Sequence, residues 1–266
     1  MDFVSEKIKE GSVIVKGKGY PVLFLHGYLS SKESFYYQTE ALSKKFKVVA
    51  VDLPGFGRAG EPPFAYSLGD YVDYVSDITD SFCGGEAMIL AHSFGGRIAI
   101  KLAAERPEKV KAMLLVGCAG IRPKRAIKKT FSIYSYKLLK KTNAWLAAKW
   151  EEKHSSPDYL ALSPLMRESF KKIINEHLDD TAKKVSAPTL LVFGDKDNET
   201  PLYMAKKLEK NVQDSGLVIM KGYGHFCFSE NPYAFNEIAS VFFSEEIKRG
   251  VRHADGSVER RLNIIE

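Results

Sequence analysis

Residues 89–100 read ILAHSFGGRIAI and set one serine, Ser93, between an apolar run and an amphipathic one. The positions around it are small: Ala91 two before, Gly95 two after, then Gly96. A serine hydroxyl is a weak nucleophile that becomes effective in acyl transfer when a base takes its proton. On a sharp turn from a buried strand into a helix, its side chain is thrust into open space. The close packing of strand and helix then excludes bulk at the flanking positions. The helix N-terminus adds free N–H groups that favour a developing negative charge. A serine that merely N-caps a helix gives a similar pentapeptide, so Ser93 needs partners to carry chemistry.

The base must be one of six histidines. His225, in KGYGHFCF, follows the last strand-like run, and Gly222 and Gly224 free its loop to reach back to the sheet. His92 adjoins Ser93 but faces away from the turn, which suits packing. His26 ends a strand in LFLHGY and suits orienting the next loop. His154 and His177 fall in an irregular interval and His253 in the tail, where a structural or solvated role is expected. A catalytic histidine needs an orienting carboxylate. LLVFGDKDNETP offers two after another buried run, Asp195 and Asp197, and either could be an Asx-turn residue instead. An oxyanion needs N–H donors. The amide of Phe94, after the serine, is one. The amide of Tyr28, after Gly27 in LHGYLSS, is the other.

The elements that must hold these groups are legible as continuous apolar runs: 22–25, 48–51, 87–91, 112–116, 189–193 and 217–220. Continuous rather than alternating hydrophobicity predicts strands buried on both faces. Amphipathic stretches near 34–45, 69–82, 94–106, 202–211 and 232–244 separate them, which predicts a parallel sheet covered by helices. Phe3–Lys9 and Ser12–Lys16, around Glu10 and Gly11, read as a leading hairpin. In such a sheet the strand carboxyl ends are where ligands bind. Ser93, the acid and His225 each follow a strand-like run, in that order.

Between Val116 and Thr189 no strand-like run occurs. Ile127, Phe131, Tyr134 and Leu138 make an apolar stripe at helical spacing. A second helix is expected from Ser163 and Pro164, an N-cap and a first-turn proline, to about Leu178. This predicts a helical insertion above the strand ends, with Phe131 and Tyr134 facing an apolar substrate pocket. Residues 122–153 hold ten lysines and arginines against two acids, Glu151 and Glu152, a net +8 in a chain of net +6. A solvated face is the first reading of those charges; peripheral contact with anionic lipid is the sharper one. Nucleic-acid binding would rest on this segment alone and is not expected.

The blocks HGY, DLPGFGRAGEPP, AHSFGG, FGDKDNETP and GYGHF, in this order from Val13 to about Phe243, resemble those of the α/β-hydrolase superfamily. Within it the chain is similar to the branch of lid-bearing esterases, proline iminopeptidases and carbon–carbon bond hydrolases. The resemblance implies an eight-stranded, mostly parallel sheet with helices on both faces. It implies a core of residues 1–121 and 186–266, and a helical cap at 122–185. The family pattern G-x-x-D-x-x-x-P falls on Gly194, Asp197 and Pro201, which carries the orienting acid onto Asp197, and the base onto His225. Ala91 stands where glycine is commoner. Ser93 rather than aspartate argues against epoxide hydrolase and dehalogenase chemistry.

The expected activity is hydrolysis of a carboxylic ester or related acyl compound, with a small acyl substrate as partner and neither metal nor organic cofactor. Thioester, amide or carbon–carbon bond hydrolysis, or acyl transfer, would use the same groups. A slow-turnover signalling receptor or binding protein is the alternative of another class. Three scattered cysteines and a charged N-terminus without an apolar core suit a reducing cytosol. No function is assigned to the tail after about residue 247.

Overall fold

The computed structural model describes residues 8–124 and 157–252. Seven strands are present among them: β1 (Val13–Lys16), β2 (Pro21–Leu25), β3 (Lys47–Val51), β4 (Ala87–His92), β5 (Val110–Val116), β6 (Thr189–Gly194) and β7 (Ser215–Met220). They form one sheet in the order β1-β3-β2-β4-β5-β6-β7. All neighbours pair in parallel except β1, which runs antiparallel to β3.

The expectation of eight strands is corrected to seven among the described residues. The segment read as one arm of an N-terminal hairpin forms the edge strand β1, with Val13 opposite Val51 and Lys16 opposite Val48. The free edge of β3 offers a long ladder, and the amide of Asp52 extends it to the carbonyl of Ser12. The other arm, Phe3–Lys9, falls mostly outside the described residues.

Every side chain of β4 and β6 is buried. Residues of alternating parity feed two cores. Leu23, Leu25, Ile89, Ala91 and Leu191 pack under α2 (Leu68–Cys83), α3 (Phe94–Glu105) and α6 (Leu202–Asn211). Val22, Phe24, Leu90, Leu114 and Val192 pack against α1 (Tyr36–Leu42) and α8 (Pro232–Arg252) on the other face. At roughly 25 cal/mol per Å2, burial on both faces is the main force that holds such a sheet together. Helix α2 begins in a capping box, with Ser67 and Asp70 each bonded to the other's backbone amide, and ends at Gly84 in the left-handed region at φ +76°.

Between β5 and β6 lie α4 (Pro157–Ala161) and α5 (Pro164–Asn175). Ser163 caps α5 by accepting from the amide of Met166. The helix stops at Asn175 rather than near Leu178, because Glu176 turns to an extended conformation. The two chain ends of this insertion clasp each other: the amide of Leu178 donates to Gly120 O at 2.9 Å, and the amide of Arg122 to Asp179 Oδ2 at 3.1 Å. The stripe Ile127–Leu138, with Phe131 and Tyr134, lies outside the described residues. A short α7 (Cys227–Glu230) joins the loop after β7 to α8.

Candidate active site

Ser93 sits between β4 and α3 at φ 49°, ψ −104°. Among the described non-glycine residues it shares positive φ only with Leu29, and both lie in loops at the carboxyl ends of central strands. Such a conformation costs of order 1–3 kcal/mol and persists only where neighbours enforce it. Here the amide of Ser93 donates to Val116 O (3.1 Å), and its carbonyl accepts from Gly96 (3.1 Å) and Ala119 (3.2 Å). A Cβ at Gly95 would overlap the carbonyl oxygen of Leu25, and one at Gly96 would overlap Cys118 Sγ. Those two glycines are therefore the condition for α3 to pack against β2 and the loop after β5.

His225 lies in the loop after β7, and its Nδ1 is 2.8 Å from Asp197 Oδ2. Asp197 follows β6 and is buried. Its Oδ1 accepts from the amides of Glu199 and Thr200, each at 2.8 Å, and its Oδ2 also accepts from Thr200 Oγ1 at 2.6 Å. Burial would raise its pKa, but the hydrogen bonds from His225 and Thr200 outweigh that and hold the carboxyl at about 2. A carboxylate fixed on Nδ1 makes that nitrogen the N–H of the neutral ring, so Nε2 keeps a lone pair for a proton. Nε2 lies 3.5 Å from Glu199 Oε2. Asp195 is turned elsewhere and accepts from the amide of Gly222 at 2.6 Å.

His92 holds the back of this loop. Its ring stacks on those of His225, Phe226 and Phe228 with centroids 4.6, 5.0 and 4.9 Å away. Gly117, at the end of β5, leaves room for the imidazole: a Cβ there would stand 3.1 Å from His225 Nδ1.

The loop after β2 closes the third side. A Cβ on Gly27 would stand 2.8 Å from His92 Nδ1 and 3.6 Å from Ser93 Cβ, so this loop rests on the β4 turn. His26 Nδ1–H donates to Gly27 O at 2.7 Å, while its Nε2 accepts from the amide of Leu53 at 3.0 Å. It orients the loop, as its place in LHGY suggested. Burial keeps His26 neutral by lowering its pKa to about 4. Lys32 and Asp52 form an ion pair at 2.7 Å with side chains only 2% and 0% exposed, tying this loop to the one after β3. The ring of Tyr28 meets Phe56, Phe94 and Phe170, and its hydroxyl donates to Met166 O at 3.1 Å. Helix α5 is thereby docked over the loop that carries Tyr28.

The structure thus places Ser93, Tyr28, Asp197 and His225 in loops at one end of the sheet, and Phe94 at the start of α3 beside them. His92 packs as its place suggests, whereas Thr200, Glu199 and Lys32 are not singled out from the sequence. Thr200 had a signal, since a threonine three residues after an aspartate before a proline suits an Asx turn. Lys32 had none, because nothing local marks a lysine as buried.

Comparison with known proteins bears on the family and the fold. The family described as alpha/beta hydrolase fold matches residues 20–148, and that of TAP-like protein matches 171–249. The AB hydrolase superfamily protein YisY of Bacillus subtilis is 30% identical over 247 residues, 85% of this chain and 92% of that one. A 2-hydroxy-6-oxo-6-(2'-aminophenyl)hexa-2,4-dienoic acid hydrolase of Metapseudomonas resinovorans is 25% identical over 266 residues, 91% and 90% of the two chains. Among solved structures, the meta-cleavage product hydrolase CumD of Pseudomonas fluorescens IP01 superposes with a TM-score of 0.68 at 25% identity. The match covers 88% of this chain and 93% of that one. Sheet order, turn geometry and similarity over 85% of the chain agree, and the chain belongs to the α/β-hydrolase superfamily.

Proposed function

We propose that this protein is a serine hydrolase of carboxylic esters or related acyl compounds. Ser93 Oγ attacks the acyl carbon as its proton passes to His225 Nε2. Asp197 holds the imidazole in the required tautomer and stabilises the imidazolium. The amides of Tyr28 and Phe94 receive the oxyanion. When the tetrahedral adduct collapses, the bond to the leaving group breaks, and that group takes the proton from Nε2. Water then attacks the acyl-enzyme, gives its proton to Nε2, and the acid departs as Ser93 regains a proton. No step calls for a metal or organic cofactor.

The observation that carries this reading is the buried 2.8 Å bond between His225 and Asp197, at the same end of the sheet as a serine held at positive φ. Strain and buried charge both cost stability, and here both serve one nitrogen and one hydroxyl. Residues 122–185 fit the role of a cap, since α5 meets Tyr28 through Met166 and Phe170. Three unpaired cysteines suit a reducing compartment. The second reading is carbon–carbon bond hydrolysis, favoured by the similarity to the dienoic acid hydrolase over 91% of this chain.

The test pairs fluorophosphonate labelling with turnover of p-nitrophenyl esters of increasing acyl length. Labelling at Ser93 with ester turnover is the expected result. Labelling without turnover points to a receptor or to another bond, and turnover by Ser93→Ala would remove the proposal.

A further inference from the structure

The turn that presents Asp197 also presents Glu199. The amide of Glu199 donates to Asp197 Oδ1 at 2.8 Å, so its backbone is placed by the buried carboxylate. Its side chain is 69% exposed, and its Oε2 lies 3.5 Å from His225 Nε2. The imidazole therefore stands between two carboxylates, one buried on Nδ1 and one facing solvent at Nε2. His26 and His92, the other rings in this layer, are kept neutral by burial and offset neither charge.

In the reaction proposed above, the atom that meets Nε2 after the attack is the leaving group, collecting its proton. We propose that Glu199 sets the charge preference of the site. It favours acyl substrates whose leaving alcohol or amine is neutral or carries an ammonium group. It disfavours those whose leaving group carries a carboxylate or phosphate. The inference rests on the serine-hydrolase reading. Because Glu199 faces solvent, its field acts through a largely aqueous path. That gives a discrimination between cationic and anionic leaving groups on the order of tenfold, reduced by salt.

The test uses the intact protein and three aryl acetates with one acyl group: phenyl, meta-trimethylammoniophenyl and meta-carboxyphenyl acetate. kcat/KM is measured at low and high salt for wild type and Glu199→Gln, each rate divided by that of hydroxide-catalysed hydrolysis. The expected result is a wild-type preference for the cationic over the anionic ester of about tenfold, narrowed by salt and moved several-fold toward the anionic ester in Glu199→Gln. An identical ratio in wild type and variant overturns the inference and leaves the hydrolase reading standing. Failure to hydrolyse any of the three, with Ser93 unlabelled by a fluorophosphonate, overturns both.

Discussion

The Nε2–H of His92 donates to the carbonyl oxygen of His225 across 3.1 Å, joining the residue before the serine to the backbone of the proposed base. The ring is buried, and burial together with neighbouring His225 lowers its pKa to about 3, so it stays a neutral donor. In the proposed reaction His92 is a positioning residue, and a glutamine there sets an N–H at the same reach. His92→Leu should lower kcat on a neutral ester by roughly 10–100-fold with a smaller change in KM. His92→Gln should recover most of the loss. The downfield proton resonance of the His225–Asp197 bond should broaden in the leucine variant and persist in the glutamine one. Equal losses in both variants would reduce His92 to a packing residue.

Asp197→Asn should lower kcat by on the order of 10³-fold or more, because an amide cannot hold the imidazole in the tautomer that leaves Nε2 free. Asp195→Asn, which touches only the Gly222 turn, should stay within several-fold of wild type. Ester kinetics on both variants checks the ranking, and the reverse order would show that the acid had been misassigned.

Lys32→Met should destabilise the fold by about 3–5 kcal/mol, since it leaves the Asp52 carboxylate buried without its cation. Urea unfolding measures this. Adding Asp52→Asn should restore part of the loss, which a simple packing defect at residue 32 would not allow.

Acid should weaken the protein well above the range where carboxylates titrate. His26 and His92 bind a proton near pH 6.5 when unfolded, but only near 4 and 3 when folded. Between those values the unfolded state holds more protons, so stability falls as pH drops. With both rings counted, the slope is on the order of 2–3 kcal/mol per pH unit near pH 5. Denaturant midpoints from pH 7 to pH 4.5 give the slope. His26→Gln should reduce it by about half, and a flat profile would mean that neither ring is held neutral.

The central strands and their helices were legible because burial on both faces leaves continuous apolar runs, and each of the six appears within two residues of its expected start. The edge strand β1 was legible as a strand, but its pairing with β3 was not. An exposed VIVK carries little pattern, and its partner is chosen by the free edge of β3, far along the chain. That Ser93, His225 and an acid near residue 196 come to one end of the sheet was legible because strand ends are where the fold converges, and the choice of Asp197 over Asp195 came from the family pattern. Their supports were not. That His92 would bond a backbone carbonyl 133 positions away, or that Lys32 would be buried on Asp52, depends on how loops pack over one another.

The clasp between Gly120–Arg122 and Leu178–Asp179 makes the chain between them a replaceable cassette. Both ends leave the core at a point already closed by hydrogen bonds, and the entropy of closing a loop grows only slowly with its length. On the proposed reading of residues 122–185 as a cap, exchange of this one contiguous piece would rewrite specificity, provided that Met166, Ile173 and Leu178, which pack into the core beneath it, are kept.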